Sequence, residues 1–279
     1  MLVTEGFDAG AIWHYGDPLR EQRLLLDRSQ EQIPAHFPRF TVSGAQRLAR
    51  LHALTTQDFT TLKPGEFIAA YVLNKCGHIV GVLFGVDDGE VFHGATEPGH
   101  LDDLLSLLSA PITSGIPAMI CSSETEPNVA DAAGLWASEA QRIAAGRPRI
   151  FLDTDATTIP NEVAMPVGDR LGSCVQLRKD PYVGQDAVVK AYQRGELSRR
   201  LTRLLLDGSA DRLPAVAADV LHQGQVVGRM GSSAIHYELG SIGLALLACE
   251  LAVDAILEVE GIAASQQVIV SSAGERSVS

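Results

Sequence analysis

Aromatic side chains are scarce in this chain: they supply 5% of its 279 residues, against a hydrophobic content of 46%. The core must therefore come from Leu, Ile, Val and Ala, and flat stacking platforms for nucleobases or other rings will be few. Basic charge is also short. The formal net charge is -12, and a surplus of that sign repels phosphate backbones, so general DNA or RNA binding is disfavoured. Four cysteines, Cys76, Cys121, Cys174 and Cys249, stand far apart with no CxxC pair. Neither a zinc cage nor a redox dithiol is written in them, and buried thiols in a reducing compartment are expected. MLVTEGFDAG lacks the basic-then-apolar plan of a secretory leader. The most apolar tract, 241–259, is interrupted by Glu250 and Asp254, too early for a membrane span. The expectation is a cytoplasmic protein with no membrane partner.

What is present is enough apolar material for two or three packed units. Asp17 followed by Pro18 predicts a helix start. Ser43 with Gln46 three residues on reads as a capping box, followed by Leu48, Leu51, His52 and Leu54 on one helical face. Strands are expected at 67–74, 78–86 and 90–93, then a helix with Leu101, Leu104, Leu105 and Leu108 as its stripe. A second α+β unit is expected beyond Pro111, with a strand at 118–121 and a helix near 129–141. Its closing segment, GRPRIFLDTDATTIPNE, is rich in turn formers and expected to be exposed. After Leu201, short apolar runs separated by Gly, Ser, Asp and His have the rhythm of a small β-barrel or sandwich. The fold class is α+β, divided as 1–110, 111–200 and 201–279.

Three stretches in order carry a family resemblance. They are SGAQRLARLHALTTQDF with Pro64, Gly65 and VLNKCGHI; then residues 146–162 with KDPYVGQD, Arg194 and Gly195; then VGRMGSSA with Gly243, Leu244 and Ala245. Together they resemble the folate-binding YgfZ family, relatives of the glycine-cleavage T-protein. The resemblance implies a three-domain ring of two ferredoxin-like α+β units and a C-terminal barrel around a central site. It implies tetrahydrofolate or a derivative as ligand, in an accessory role to iron–sulfur cluster assembly or repair. An iron–sulfur enzyme or assembly protein would be the partner, in some members one that modifies tRNA, and direct tRNA contact is left open.

A reduced pterin needs a carboxylate or amide at its guanine-like edge and apolar walls, while its glutamate tail needs Lys or Arg. The run from 178 to 203 carries Arg178, Lys179, Lys190, Arg194, Arg199, Arg200 and Arg203, a local cationic excess that is either an anion site or a solvated face. The folate-binding candidates are Phe37 as a stacking wall, Asn74 at a strand end, and Lys179, Tyr182, Gly184, Gln185, Asp186 and Arg194 in and beside the signature. Gly184 permits positive φ or close approach to a ligand, and Gln185 can both donate and accept. Each has a plainer reading, as core, turn or surface.

The signature departs from the family at two points. Asp186 replaces the usual Glu, and Asp180, Pro181 and Tyr182 stand where a Gly–Cys–Tyr trio is usual, so the signature thiol is gone. Cys174 is too far along the chain to replace it and reads as packing. Cys76, beside Lys75 at a hairpin turn, is a turn cysteine with a cation nearby. His52 and His78 have no partners in triad spacing. T-protein chemistry uses an acid just after the first hairpin turn. Here 76–81 contains none before Asp87, and the T-protein's pterin-recognising glutamate would fall at Leu177 with the GQ pair in register. No catalytic residue and no metal ligand is therefore assigned. A folate-dependent one-carbon transferase and a ligand-free scaffold of the same fold remain the alternatives.

Overall fold

The structure, a computed structural model, describes residues 1–26, 33–109, 120–124, 133–163, 165, 167–168 and 173–271. Helix α1 (Pro18–Leu26) begins where Asp17 and Pro18 predict, with the Asp17 carboxylate accepting the Arg20 amide at 3.0 Å. Strand β1 (Arg39–Ser43) leads into helix α2 (Arg47–Leu54). The predicted capping box at Ser43 is not formed. Ser43 is instead drawn into the sheet, paired with Val91 on one side and Ile120 on the other, and the helix starts after Gln46 without a side-chain cap. Two strand partners outweigh one cap.

Strands β2 (Phe67–Leu73), β3 (Ile79–Asp87) and β4 (Val91–Ala95) follow as a meander, then helix α3 (Leu101–Ser109) and strand β5 (Ile120–Glu124). They form one five-stranded sheet of order β2-β3-β4-β1-β5. The strand expected near 118–121 thus joins the first sheet, antiparallel to β1. Both faces of β2 and β3 are covered. Ile68, Ala70, Val72 and Leu83 pack with Leu51, Leu104 and Leu108 beneath α2 and α3, whereas Tyr71, Leu73 and Val82 meet Ile150, Val163, Val175, Tyr182 and Val188 on the opposite face. This double burial explains why β2 reads as a continuous apolar run.

Helix α4 (Leu135–Ala144) overlaps the helical stretch expected at 129–141 and runs three residues beyond it, while residues 129–132 lie outside those described. The segment after it, expected to be exposed, is instead largely internal: Arg149, Asp153, Asn161 and Glu162 are all buried. A short parallel pair, β6 (Val167–Gly168) with β7 (Val175–Gln176), and helix α5 (Gln185–Arg194) complete the middle of the chain. Strands β8 (Arg199–Leu206), β9 (Asp219–His222), β10 (Gln225–His236), β11 (Gly240–Ala248), β12 (Leu257–Val259) and β13 (Ile262–Val268) close into a barrel of order β10-β11-β8-β13-β12-β9. The expected barrel is therefore present, and closure leaves it no free sheet edge.

Candidate functional site

The β2–β3 turn is built by one side chain. Asn74 Oδ1 accepts the amides of Cys76 and His78 at 2.9 and 3.1 Å, and Gly77 takes φ 82° to complete the reversal. Against this turn lies the signature loop. Gly184 has φ 83°, and a Cβ there would stand 2.4 Å from the Asn74 carbonyl oxygen and 3.0 Å from Gly77 Cα. Its glycine character thus serves close approach of two backbone segments. Asn74, read from sequence as either a pterin contact or a turn former, forms the turn.

The other signature residues also have internal partners. Gln185 Nε2 donates to the carbonyls of Leu177 and Lys179 at 3.0 and 3.3 Å. Lys179 Nζ donates to the carbonyl oxygens of His52, of Thr55 at 2.7 Å and of Gln57 at 2.9 Å. It thereby ties the loop to the end of α2. Burial lowers the Lys179 pKa to about 8, so the ammonium keeps its three donors at neutral pH. Its charge also sits 5.2 Å from the Tyr182 ring centroid. Tyr182 is buried, and its hydroxyl has no hydrogen-bond partner among the described residues. Burial alone raises its pKa. Asp186 and Arg194 lie exposed on α5.

The cationic run is mostly committed to the protein itself. Arg199 pairs with Asp155 at 2.5 Å and Glu162 at 3.0 Å, Arg200 reaches the Leu251 carbonyl, and Arg203 reaches Gln267 and the Ala144 carbonyl. With Lys179 held by carbonyls, the exposed cations left near the loop include Lys190 and Arg194.

Around Phe37, at the foot of the first sheet, gathers chemistry that the sequence did not otherwise single out. Phe37 packs against Phe84 with centroids 6.4 Å apart, and the Arg149 guanidinium sits 5.2 Å from the Phe37 ring centroid. Arg149 Nε donates to Glu97 Oε2 at 2.9 Å, while Nη1 and Nη2 form a two-pronged contact with Asp8 at 2.9 and 2.8 Å. Burial pushes Glu97 up to about 7 against the opposing charge of Arg149. Beside it His100 stacks on Phe151, centroids 3.7 Å apart and planes 22° from parallel. Phe151 holds φ 75°, an uncommon and strained conformation for a bulky residue. His100 Nε2 and the fully buried Tyr71 hydroxyl lack hydrogen-bond partners among the described residues.

Phe84, Phe151, Tyr71 and Tyr182 share one apolar cluster. This cluster connects the aromatic–ionic junction to the signature loop. Arg142 extends the ionic part toward the barrel, pairing with Glu139 at 2.7 Å, Asp153 at 2.8 Å and the Ser232 hydroxyl at 2.6 Å.

Of the residues expected from sequence, Phe37 lies at the junction and Tyr182 in its connecting cluster, whereas Asn74, Lys179, Gly184 and Gln185 maintain the loop and turn. Asp186 and Arg194 stand apart on α5. Arg149, Glu97, His100, Phe151 and Asp8 were missed, because they come from distant places in the chain and no short motif joins them. Among the described residues no group of His, Cys, Asp or Glu is arranged to hold a metal ion. No helix there is long and apolar enough to cross a membrane. A separate concavity of about 640 Å³ lies on the outer barrel, lined by His222, Ile256 and Glu258 among others.

A solved structure shares this architecture. The glycine cleavage system aminomethyltransferase T from Bartonella henselae superposes with a TM-score of 0.70, over 94% of this chain and 91% of its own, at 15% sequence identity. The chain thus has a T-protein-like fold. No protein-family profile and no curated protein sequence matches it.

Proposed function

We propose that this T-protein-like chain is a tetrahydrofolate-binding accessory protein without aminomethyl-transfer chemistry. The observation that carries the reading is the junction of a buried carboxyl, Glu97, a buried guanidinium, Arg149, and the rings of Phe37, Phe84, His100 and Phe151. A pterin asks for a polar edge partner between apolar walls, and a glutamate tail asks for a cation. The partnerless Tyr71 hydroxyl and His100 nitrogen add unspent hydrogen-bonding capacity nearby. Bound folate would supply a one-carbon carrier, and these residues would position it and exclude water.

Aminomethyl transfer is disfavoured because the stretch after the β2–β3 turn, 76–81, which matches the place of the T-protein acid, carries no carboxylate before Asp87. The support for iron–sulfur enzymes, including tRNA-modifying ones, as clients is the sequence resemblance to the YgfZ family. A ligand-free scaffold is the second reading. It is favoured by the internal satisfaction of Asn74, Lys179 and Gln185.

Calorimetry and thermal shift with tetrahydrofolate separate the two. Binding of the native state must raise the melting temperature by mass action. No heat and no shift at millimolar tetrahydrofolate would leave the scaffold reading.

A further inference from the structure

The N-terminal segment folds back as a small hairpin. Val3 and Ala11 are bonded at 2.9 Å, Gly10 donates back to Val3 at 2.9 Å, and Trp13 donates to Met1 at 2.7 Å. Its stem is pinned to the start of α4: the Ile12 and Trp13 carbonyls accept the Leu135 and Trp136 amides at 2.8 and 3.1 Å, and the two indoles lie 5.6 Å apart. Its tip is held differently. Phe7 is 55% exposed and rests against Gly99 and His100, so the tip buries little apolar surface of its own. The polar anchor there is Asp8, whose carboxylate meets both Arg149 amino groups and His36 Nε2 at 2.9 Å.

Two features make that tip a movable part. Gly6 and Gly10 flank it at φ 82° and 90°, and both face open space, so the tip can swing on them while the stem stays fixed. Arg149 would stay in place when the tip left, because Glu97 holds its Nε and Phe37 lies beneath it. Nη1 and Nη2 would then lose their two-pronged partner, with Glu139 Oε1 still 3.6 Å from Nη1. Such a pair of amino groups is what a guanidinium offers a carboxylate.

We propose that Arg149 is the receptor for a ligand carboxylate, that Asp8 is its internal stand-in, and that the ligand binds by displacing the hairpin tip. The inference deepens the folate reading and rests on it for the source of the carboxylate, an acylated glutamate. Binding then carries a penalty set by the closed population, which removal of Asp8 relieves. A tethered carboxylate acts at an effective concentration on the order of millimolar. A ligand that also packs against the aromatic rings can outcompete it.

The experiment uses the full chain and two probes, 4-aminobenzoylglutamate, which has the carboxylates without the pterin, and 6-methyltetrahydropterin, which has the reverse. Asp8→Ala should bind 4-aminobenzoylglutamate at least tenfold more tightly than the parent, with the pterin probe unchanged. In the parent protein the same probe should speed hydrogen exchange at the Ala11 amide, which donates to the Asp8 carbonyl of the tip. Equal or weaker binding by a natively folded Asp8→Ala, or no binding to either protein at millimolar probe, overturns the proposal. So does unchanged exchange in the parent, a readout that stands even where the variant fails to fold. Tetrahydrofolate failing while 4-aminobenzoylglutamate succeeds would remove the folate reading and keep the receptor.

Discussion

Replacing Lys179 with Met tests whether the signature lysine is a clamp or a ligand contact. The change keeps the aliphatic stem but removes the ammonium that joins the His52, Thr55 and Gln57 carbonyls to the loop. Hydrogen bonds to a charged group contribute about 1.5–3 kcal/mol each, and a buried carbonyl left unpaired costs about 1–3 kcal/mol. Against this, the variant no longer buries a charge, a cost visible in the lowering of the Lys179 pKa to about 8. The balance is a loss of about 3 kcal/mol. It should appear in urea unfolding as a lower midpoint with an unchanged slope, and as a fall in melting temperature of roughly 5–10 °C for a chain of this size. Lys179→Arg should recover only part, since a planar fork suits three converging carbonyls less well than a tetrahedral ammonium. A Lys179→Met protein within about 0.5 kcal/mol of the parent, but with weakened tetrahydrofolate binding, would refute the clamp and return Lys179 to the ligand.

Other variants probe the same frame. Gly184→Ala should destabilise by about 2 kcal/mol or more, since a positive φ costs roughly 1 kcal/mol for a side chain and its Cβ would meet the Asn74 oxygen at 2.4 Å; chemical denaturation measures it. Arg142→Met should cost about 3–5 kcal/mol, because Asp153 and Glu139 would lose their buried cation; soluble yield and melting temperature report it. Burial pushes Glu97 up from its ordinary 4.5 to about 7, so its contribution is full below 4.5 and lost as pH rises through 7. Parent stability should therefore fall between pH 5 and 7, by at most about 1.4 kcal/mol per unit, relative to Glu97→Gln. Parallel profiles for the two proteins would contradict the raised value. Asp8 and Asp155, both held below the ordinary carboxylate range, act only at lower pH.

Much of the architecture was legible because it is written in local pattern. Asp17–Pro18, the leucine stripe of α3 and the evenly spaced apolar runs of the barrel each state their element within a few residues. The capping box at Ser43 misled because the sheet, a long-range partner, claimed that residue first. The segment 146–162 misleads for a related reason: its turn formers imply surface, whereas Arg149, Asp153 and Glu162 are buried in ion pairs with residues from other parts of the chain. The candidate site followed the same division. Lys179, Gly184 and Gln185 were found as a motif, but their backbone partners were invisible. Arg149, Glu97 and Asp8 converge from positions up to 141 residues apart, and sequence spacing carries no trace of that meeting.

The touching glycines at the hairpin turn and the signature loop have a practical use. With Gly77 Cα about 3.0 Å from where a Cβ on Gly184 would stand, neither segment can shift without carrying the other. Cys76 is adjacent and exposed. A fluorophore attached to that thiol would ride on the same lever as Gln185 and the first turn of α5, turning any rearrangement of the loop into an optical signal read from the parent backbone.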